Sequence, residues 1–164
     1  MKRIWAPWRM TYILEKRPKV CIFCDEVAEG KEKEQLLLYR NRCSRVMMNK
    51  FPYTCGHLLV APAKHTDDLD ELREDELTNI FLTLRRSVKI LNTVMEPHGF
   101  NVGMNMGRTA GAGIEDHLHF HIVPRWRGDT NFMPIIADAM VVSESLHETF
   151  DRLFPYFTKL PEIG

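Results

Sequence analysis

Three of the seven histidines in this 164-residue chain lie at alternate positions within five residues, as His117, His119 and His121. Residues two apart in a β-strand point to the same face, so a strand here would present three imidazole rings side by side. Burying these rings requires partners for all their nitrogens, which argues against a chance cluster. Alternate histidines serve metal binding or nucleotidyl chemistry with a histidine nucleophile, and the spacing leaves both open.

A glycine-rich run over 105–113 precedes these histidines, and its exposed backbone N–H groups would suit an anion such as a phosphate. A fourth histidine, His57, stands at the start of the predicted strand 57–61, with Asn49 upstream of it. The glycine-rich run is weak evidence by itself. Beside four histidines it favours phosphate chemistry.

A second group with chemical potential is the C-x-x-C pair of Cys21 and Cys24. The chain has four cysteines, too few for a disulfide scaffold, so the pair indicates a metal or redox site. A closed tetrahedral zinc site would need two further ligands. Ordinary buried thiols are the alternative.

The elements that must position these groups follow from hydrophobic periodicity. The fold class predicted is α+β, an antiparallel sheet of about five strands with one long helix and a C-terminal helix. The predicted strands cover 36–40, 44–49, 57–61, 100–106 and 117–124.

Helical periodicity is clearest over 74–95, where apolar residues recur at offsets of three, four, seven and eleven. We expect this stripe to face the core; it consists of Leu77, Ile80, Phe81, Leu84, Val88, Leu91 and Met95. A capping box at Ser145 and Glu148 predicts the final helix, whose length we expect Pro155 to limit.

Composition excludes several classes of protein. Lys and Arg total 22, as do Asp and Glu, so the formal net charge is zero, which argues against a strongly basic nucleic-acid-binding domain. The sequence has no apolar run long enough to span a membrane. The N-terminal residues lack the features of a secretion signal, so we expect a cytoplasmic protein without membrane or stable nucleic-acid partners.

Three motifs resemble the histidine triad superfamily of nucleotide hydrolases and transferases. Alternating histidines and apolar residues over 117–123 match its signature, N-x-G-x-x-A-G over 105–111 precedes it, and G-H-L-L-V-x-P occupies 56–62. Two further segments are similar to its bacterial diadenosine tetraphosphate phosphorylase branch: W-x-P-W-R-M-x-Y-I over 5–13 and P-R-W-x-G-D-x-N-F over 124–132. The resemblance implies one domain over 1–164, with an arm over 1–20, a core over 21–126, and a tail and helix over 127–164.

The resemblance implies a two-step displacement. His119 would attack the α-phosphate of a dinucleoside polyphosphate, forming a nucleotidyl-histidine that water or phosphate then resolves. His121 and His57 would bind phosphate oxygens, and His121 is the candidate for protonating the leaving group.

Substrate contacts are expected from both sides of the cluster. Asn49 would bind ribose or orient the site, and Asn105 with the backbone of Gly111, Ala112 and Gly113 would bind phosphate. Among the tryptophans, Trp126 is the strongest candidate for stacking on a nucleobase, with packing as the alternative.

The resemblance also completes the metal site. It implies that His65 and His117 join Cys21 and Cys24 around one structural zinc per chain, with no organic cofactor. It further implies a homodimer. A catalytic metal held by the histidines is the alternative drawn from another class of enzyme.

One departure leaves the acceptor open. Many members continue A-G-Q towards the triad, whereas Ala110 and Gly111 are followed here by Ala112-Gly113-Ile114, and the link is one residue longer. Both water and inorganic phosphate therefore remain possible acceptors. Hydrolysis of nucleoside phosphoramidates or adenylyl conjugates is the alternative within the same class, and a nucleotide sensor without turnover is the non-enzymatic alternative.

Overall fold

The computed structural model describes residues 21–129 and 144–161, so the predicted arm over 1–20 and part of the predicted tail lie outside the described residues. The described residues form five strands and two α-helices. These are β1 (Leu37–Arg40), β2 (Ser44–Met48), β3 (Leu58–Pro62), α1 (Glu74–Met95), β4 (Gly99–Met104), β5 (Phe120–Arg125) and α2 (Leu146–Phe157). No helix among them is both long and apolar enough to cross a membrane.

All five strands belong to one antiparallel sheet, in the order β1, β2, β3, β5, β4. The last strand along the chain therefore lies between β3 and β4. In this register His121 pairs with Leu59 on one side and with Gly103 on the other. The α+β prediction of a five-stranded antiparallel sheet with one long helix and a C-terminal helix is confirmed.

The strand predicted to begin at His117 begins instead at Phe120. The N–H of Leu118 donates to the carbonyl oxygen of Thr66 at 2.8 Å. The His117 ring nitrogen Nε2 lies 3.0 Å from the carbonyl oxygen of Pro62. These two hydrogen bonds hold the segment against the chain that follows β3, so two of the three alternate histidines precede the strand.

Helix α1 has the boundaries predicted for it, 74–95. Three acidic residues occupy its first turn, where the helix dipole favours negative charge. The Glu76 carboxylate accepts a hydrogen bond from the Arg73 N–H at 2.9 Å and so satisfies the backbone at the helix start. The helix ends where Glu96 takes a left-handed conformation with φ of 48°.

The predicted apolar stripe of α1 is wrong at Phe81. Ile80, Leu84 and Leu91 are buried, but the Phe81 side chain is 59% exposed. Successive helical residues are about 100° apart, so Phe81 lies beside the buried face rather than within it. Its ring makes an edge contact with Phe120 at 5.7 Å.

Polar side chains also occupy the buried face of α1. Ser44 on β2 donates its hydroxyl to Asn79 Oδ1 at 2.9 Å. Its oxygen also lies 2.9 Å from the hydroxyl of Thr83. All three residues are buried, so these hydrogen bonds supply the partners that burial demands and fix α1 against the sheet.

Two hydrophobic clusters cover the sheet. The larger one joins the sheet to both helices, and its buried residues include Val46, Leu58, Val60, Ile80, Leu91, Ile122, Phe150 and Leu153. The smaller one covers the other side of the strands with the segment that follows residue 20, and it consists of Phe23, Val27, Leu37, Met47, Leu59 and Ala61. The cysteine pair therefore flanks a core residue, Phe23.

The prediction that Pro155 limits α2 is wrong, since the helix continues through it to Phe157. The capping box is present at the other end, where Ser145 Oγ accepts from the Glu148 N–H and Glu148 accepts from the Ser145 N–H. Proline removes one helical hydrogen bond. Burial of Phe150 and Phe157 against the sheet offsets that loss.

Gly56, in the turn before β3, is a site where substitution should destabilise the fold. Its φ is +74°, and an added Cβ would lie 2.5 Å from the sulfur of Met95 and 3.3 Å from Leu91 Cδ2. We expect Gly56→Ala to lower the free energy of unfolding by about 1–3 kcal/mol, measured by urea denaturation.

Gly30→Ala is the matched control. Gly30 also has positive φ, +82°, but an added Cβ there meets nothing within 4 Å. Gly30→Ala should lower the free energy of unfolding by less than Gly56→Ala does, since only backbone strain contributes at Gly30. Equal losses at the two positions would show that close packing on Met95 does not matter.

Candidate active site

The structure brings together the four histidines singled out by the sequence. The ring centroids of His119 and His121 are 5.0 Å apart, and those of His57 and His121 are 5.2 Å apart. His57, His117 and His119 are all at most 4% exposed. The cluster therefore forms a largely buried row of imidazoles at the junction of β3 and β5.

The proton on the His119 ring can be located from its surroundings. His119 Nδ1 lies 2.9 Å from the carbonyl oxygen of His117, and a carbonyl oxygen can only accept. Nδ1 therefore carries the proton, and Nε2 has a free lone pair. Burial lowers the pKa of His119, so the ring stays neutral and Nε2 can attack an electrophile near pH 7.

His57 and His121 form a hydrogen-bonded pair with defined proton positions. The Tyr53 N–H donates to His57 Nδ1 at 3.1 Å, so the proton of neutral His57 is on Nε2. That nitrogen lies 2.9 Å from His121 Nδ1 and donates to it. In neutral His121 the remaining proton is then on Nε2, where it is available to a ligand.

Burial keeps both rings of this pair neutral. It lowers the pKa of His57 to about 3, with the neighbouring His121 and His119 adding to the effect. It lowers the pKa of His121 to about 4, with a further contribution from His119. The Asn49 amide nitrogen lies 3.3 Å from His57 Nδ1, so Asn49 joins the same network of hydrogen bonds.

A shallow, open cavity of about 240 Å³ lies beside His121. Tyr53 lines it, with a ring stacked on His57 at 4.8 Å between centroids. Asn101, Gly103 and Asn105, which alternate along and just beyond β4 on the face that His121 shares, line it as well. The apolar residues Val102, Met104 and Val123 complete the lining. Sequence reasoning missed Tyr53, Asn101 and Gly103, although the alternation of residues along β4 could have indicated the last two.

The orientation of Asn101 is set by a charged neighbour. Arg125 donates to Asn101 Oδ1 at 2.8 Å and makes a two-pronged contact with the Asp129 carboxylate at 2.6 and 3.0 Å. With the Asn101 oxygen held by the guanidinium, the amide N–H groups of Asn101 make no hydrogen bond within the part of the chain that the structure describes and can donate to a ligand.

The glycine-rich loop contains a short 3-10 helix, Arg108–Ala110, between Gly107 and Gly111, which both have positive φ. The N–H of Gly111 donates to the Arg108 carbonyl and that of Ala112 to the Gly107 carbonyl. Two of the amides predicted to bind phosphate thus have partners inside the loop. Gly113 follows them and is half-buried.

Trp126 is not among the described residues that line the cavity beside His121. It follows β5 directly and is half-buried, and its N–H donates to Asp129 Oδ2 at 3.2 Å. Its contact with a nucleobase remains a prediction.

The two cysteines meet two histidines at a second site. One ligand atom from each of Cys21, Cys24, His65 and His117 lies within 4.8 Å of the other three, which makes a cluster able to hold a metal ion. The Cys24 sulfur lies 3.1 Å from His65 Nδ1 and 3.5 Å from His117 Nδ1, the Cys21 sulfur lies 3.4 Å from His117 Nδ1, and the two Nδ1 atoms are 3.1 Å apart. Ligands around a tetrahedral zinc would be about 3.3–3.8 Å apart, so the geometry fits.

The protonation of this cluster also fits a metal. His117 donates its Nε2 proton to the Pro62 carbonyl, which leaves the lone pair of Nδ1 directed at the two sulfurs. The outer nitrogen of His65 lies 3.8 Å from an Asp116 carboxylate oxygen, which is longer than a hydrogen bond. Burial raises the pKa of the Cys21 thiol to about 11, so this sulfur ionises at neutral pH only beside a cation.

Two proteins of known activity are similar to this chain in sequence. An AP-4-A phosphorylase from Mycobacterium tuberculosis is 33% identical over 169 residues, which cover 98% of this chain and 87% of that protein. A bis(5'-nucleosyl)-tetraphosphatase [asymmetrical] from Schizosaccharomyces pombe is 32% identical over 93 residues, covering 57% of this chain and 50% of that protein.

Solved structures share the fold. A hypothetical histidine triad nucleotide-binding protein from Sulfolobus tokodaii aligns with a TM-score of 0.63 at 24% identity, over 84% of this chain and 92% of that one. A family model described as the HIT domain matches residues 30–128, a segment that contains the triad and the glycine-rich loop. The chain therefore belongs to the HIT domain family.

Proposed function

We propose that this protein is a nucleotidyl hydrolase or transferase that cleaves dinucleoside polyphosphates such as diadenosine tetraphosphate. One observation carries the proposal: His119 is buried and neutral, and its Nδ1 proton is held by the His117 carbonyl, so the lone pair of Nε2 is free to attack. The similarity to an AP-4-A phosphorylase over almost the whole chain supports the substrate class.

The reaction proceeds in two displacements. His119 Nε2 attacks the α-phosphorus, a P–N bond forms, and the P–O bond to the remaining polyphosphate breaks with its electron pair on the leaving oxygen. The Nε2–H of neutral His121 donates a hydrogen bond to that oxygen, which stabilises its negative charge, and the proton stays on the ring. An oxygen of water or inorganic phosphate then attacks the same phosphorus and releases its proton to solvent, while the P–N bond breaks with its electron pair on Nε2, so His119 regains its lone pair.

Further groups hold the substrate in this proposal. Asn49 binds ribose or orients His57, and Asn105 binds phosphate together with the backbone N–H of Gly113, since those of Gly111 and Ala112 donate inside the loop. Trp126 stacks on a base. The acceptor in the second displacement is inorganic phosphate or water. Both are proposed, because the chain is similar to a phosphorylase and to a tetraphosphatase.

We propose that the ion at the second site is zinc. Two thiolates and two imidazoles are the donor set that zinc prefers, and four protein ligands leave no coordination position for substrate, which favours a structural metal over a catalytic one. Zinc would hold the His117 ring, while the carbonyl of the same residue orients His119. Its role is thus to fix the residue on which the nucleophile depends.

We also propose a single domain over 1–164 that forms homodimers in the cytoplasm. The exposed apolar side chains of Phe81 and Val102, 59% and 50% exposed, support a subunit contact. None of the four cysteines, all of them among the described residues, forms a disulfide bond, which suits a reducing compartment. The neutral net charge supports recognition of a small anion by local donors rather than stable nucleic-acid binding.

Replacing the nucleophile tests the function. We expect His119→Ala to lower kcat/KM for diadenosine tetraphosphate by at least about 10³-fold, because the variant lacks the Nε2 lone pair that forms the P–N bond. Products are separated by chromatography with and without phosphate. ATP with ADP indicates phosphate as acceptor, and ATP with AMP indicates water.

The control is His147→Ala, an exposed histidine on α2 that should leave the rate unchanged. Retention of the wild-type rate in His119→Ala would refute the proposal. Faster turnover of adenosine 5′-phosphoramidate than of diadenosine tetraphosphate by the wild type would favour the phosphoramidate alternative. Tight nucleotide binding without turnover would favour a sensor.

Loss of a metal ligand should affect both metal content and activity. We expect Cys24→Ser to lower zinc, measured by elemental mass spectrometry, from about one ion per chain, and to lower Tm and the cleavage rate together. Cys43→Ser, at a half-buried cysteine outside the cluster, is the control and should change none of these. Full activity without bound metal would contradict the proposed role, and more than one ion per chain would favour a catalytic metal.

The neutral state of His57 should make stability depend on pH. Its pKa is about 3 in the folded chain and 6.5 as the ordinary value, so the unfolded chain binds more protons between these limits. The contribution of His57 is therefore complete above pH 6.5 and is lost as the pH falls towards 3. At pH 5 the loss is about 2 kcal/mol.

Denaturation by urea at pH 7.5 and at pH 5 measures this dependence. His57→Asn retains an acceptor for the Tyr53 N–H but removes the titrating ring, so its stability should change less between the two pH values than that of the wild type. An unchanged pH dependence in the variant would show that His57 is not the responsible group.

A further inference from the structure

Gly103 is a glycine in the interior of a strand, where glycine weakens the structure and offers no side chain to pack. It lies in β4 directly opposite His121 on β5. Its backbone does not require glycine, because it is absent from the residues with positive φ. A strand glycine of this kind often marks the close approach of a ligand.

Packing does not require glycine at this position either. A Cβ built on Gly103 would meet no described atom within 4 Å, whereas the same atom on Gly56 would lie 2.5 Å from Met95 Sδ. Directly paired residues of antiparallel strands present their side chains to the same face. What the glycine provides is therefore open space beside the His121 ring.

The groups around this space are suited to an anionic ligand. His121 Nε2 carries a proton in the neutral pair. Arg125 holds the oxygen of Asn101, and no hydrogen bond from the Asn101 amide N–H groups to another described residue occupies them. Asn105 lies at the next position on the same side. None of the described residues that line the cavity is acidic, so hydrogen-bond donors meet no competing carboxylate.

We infer that the strip of β4 centred on Gly103 binds the leaving part of the substrate, the phosphate chain that departs when His119 is nucleotidylated, and that Gly103 limits how large this part can be. The inference rests on the proposed function and adds to it a subsite and a residue that sets specificity. When the P–O bond breaks, its electron pair stays on the leaving oxygen next to the proton on His121 Nε2. Asn101 donates to the phosphate oxygens beyond it.

A graded series at position 103 tests the inference. Gly103→Ala and Gly103→Val are compared on diadenosine tetraphosphate, which has a large leaving group, and on adenosine 5′-phosphoramidate, which releases ammonia. We expect Gly103→Val to lower kcat/KM for the tetraphosphate by at least about tenfold, with Gly103→Ala in between, because the added methyl groups displace the leaving part. Turnover of the phosphoramidate should stay within about twofold of the wild type.

Gly99→Val is the matched control. Gly99 lies on the same strand and the same face, a Cβ there also meets nothing within 4 Å, and it is about 13 Å along the strand from Gly103. It should leave both rates unchanged. Equal losses on the two substrates in Gly103→Val, or no loss on either, would overturn the inference.

Binding provides a measurement that does not depend on turnover. In the His119→Ala background, calorimetry should show weaker binding of diadenosine tetraphosphate when Gly103→Val is added, and unchanged affinity would overturn the subsite. If the wild type cleaves neither substrate, the proposed function fails while this measurement still decides the subsite. A change in the oligomeric state of Gly103→Val, seen by light scattering, would also overturn it, since a subunit contact would then explain the glycine.

Discussion

The site depends on the hydrogen bond between the His119 ring and the carbonyl oxygen of His117. This bond fixes the tautomer of the candidate nucleophile, because the acceptor has no proton to give. The ring of His117 is fixed in turn by the Pro62 carbonyl and directed at the two cysteines. One residue thus connects the end of β3, the metal-binding cluster and the reactive imidazole.

Neutrality is the second constraint on the site. A row of buried imidazoles is stable only if each ring keeps a single N–H and uses its other nitrogen as an acceptor. Binding a second proton would charge a buried ring, which is costly. The chain from the Tyr53 N–H through His57 to His121 does this with one donor and one acceptor at each step. The same arrangement leaves a proton directed outwards at one end of the row and a lone pair on the neighbouring ring.

Local features were the ones that sequence could predict. The limits of α1 follow from its period and its acidic first turn, and the capping box of α2 from two side chains three residues apart. The start of β5 could not be predicted, because a hydrogen bond to Thr66 and not strand propensity decides it. Likewise, the spacing of Cys21 and Cys24 indicated a metal or redox site, and only resemblance to a family suggested the two distant histidines. Asn101 enters the site through strand register alone.

The order of the sheet, with the last strand inserted between β3 and β4, has a consequence for folding. The bond between His57 and His121 joins residues 64 apart in sequence, and the metal-binding cluster joins residues 96 apart. Closing such a long loop costs conformational entropy before its contacts can stabilise it, so we expect these contacts to form late in folding. Until β5 enters the sheet, the hydrogen bonds that set the tautomers of His57 and His121 are absent, so the candidate site is complete only in the folded chain.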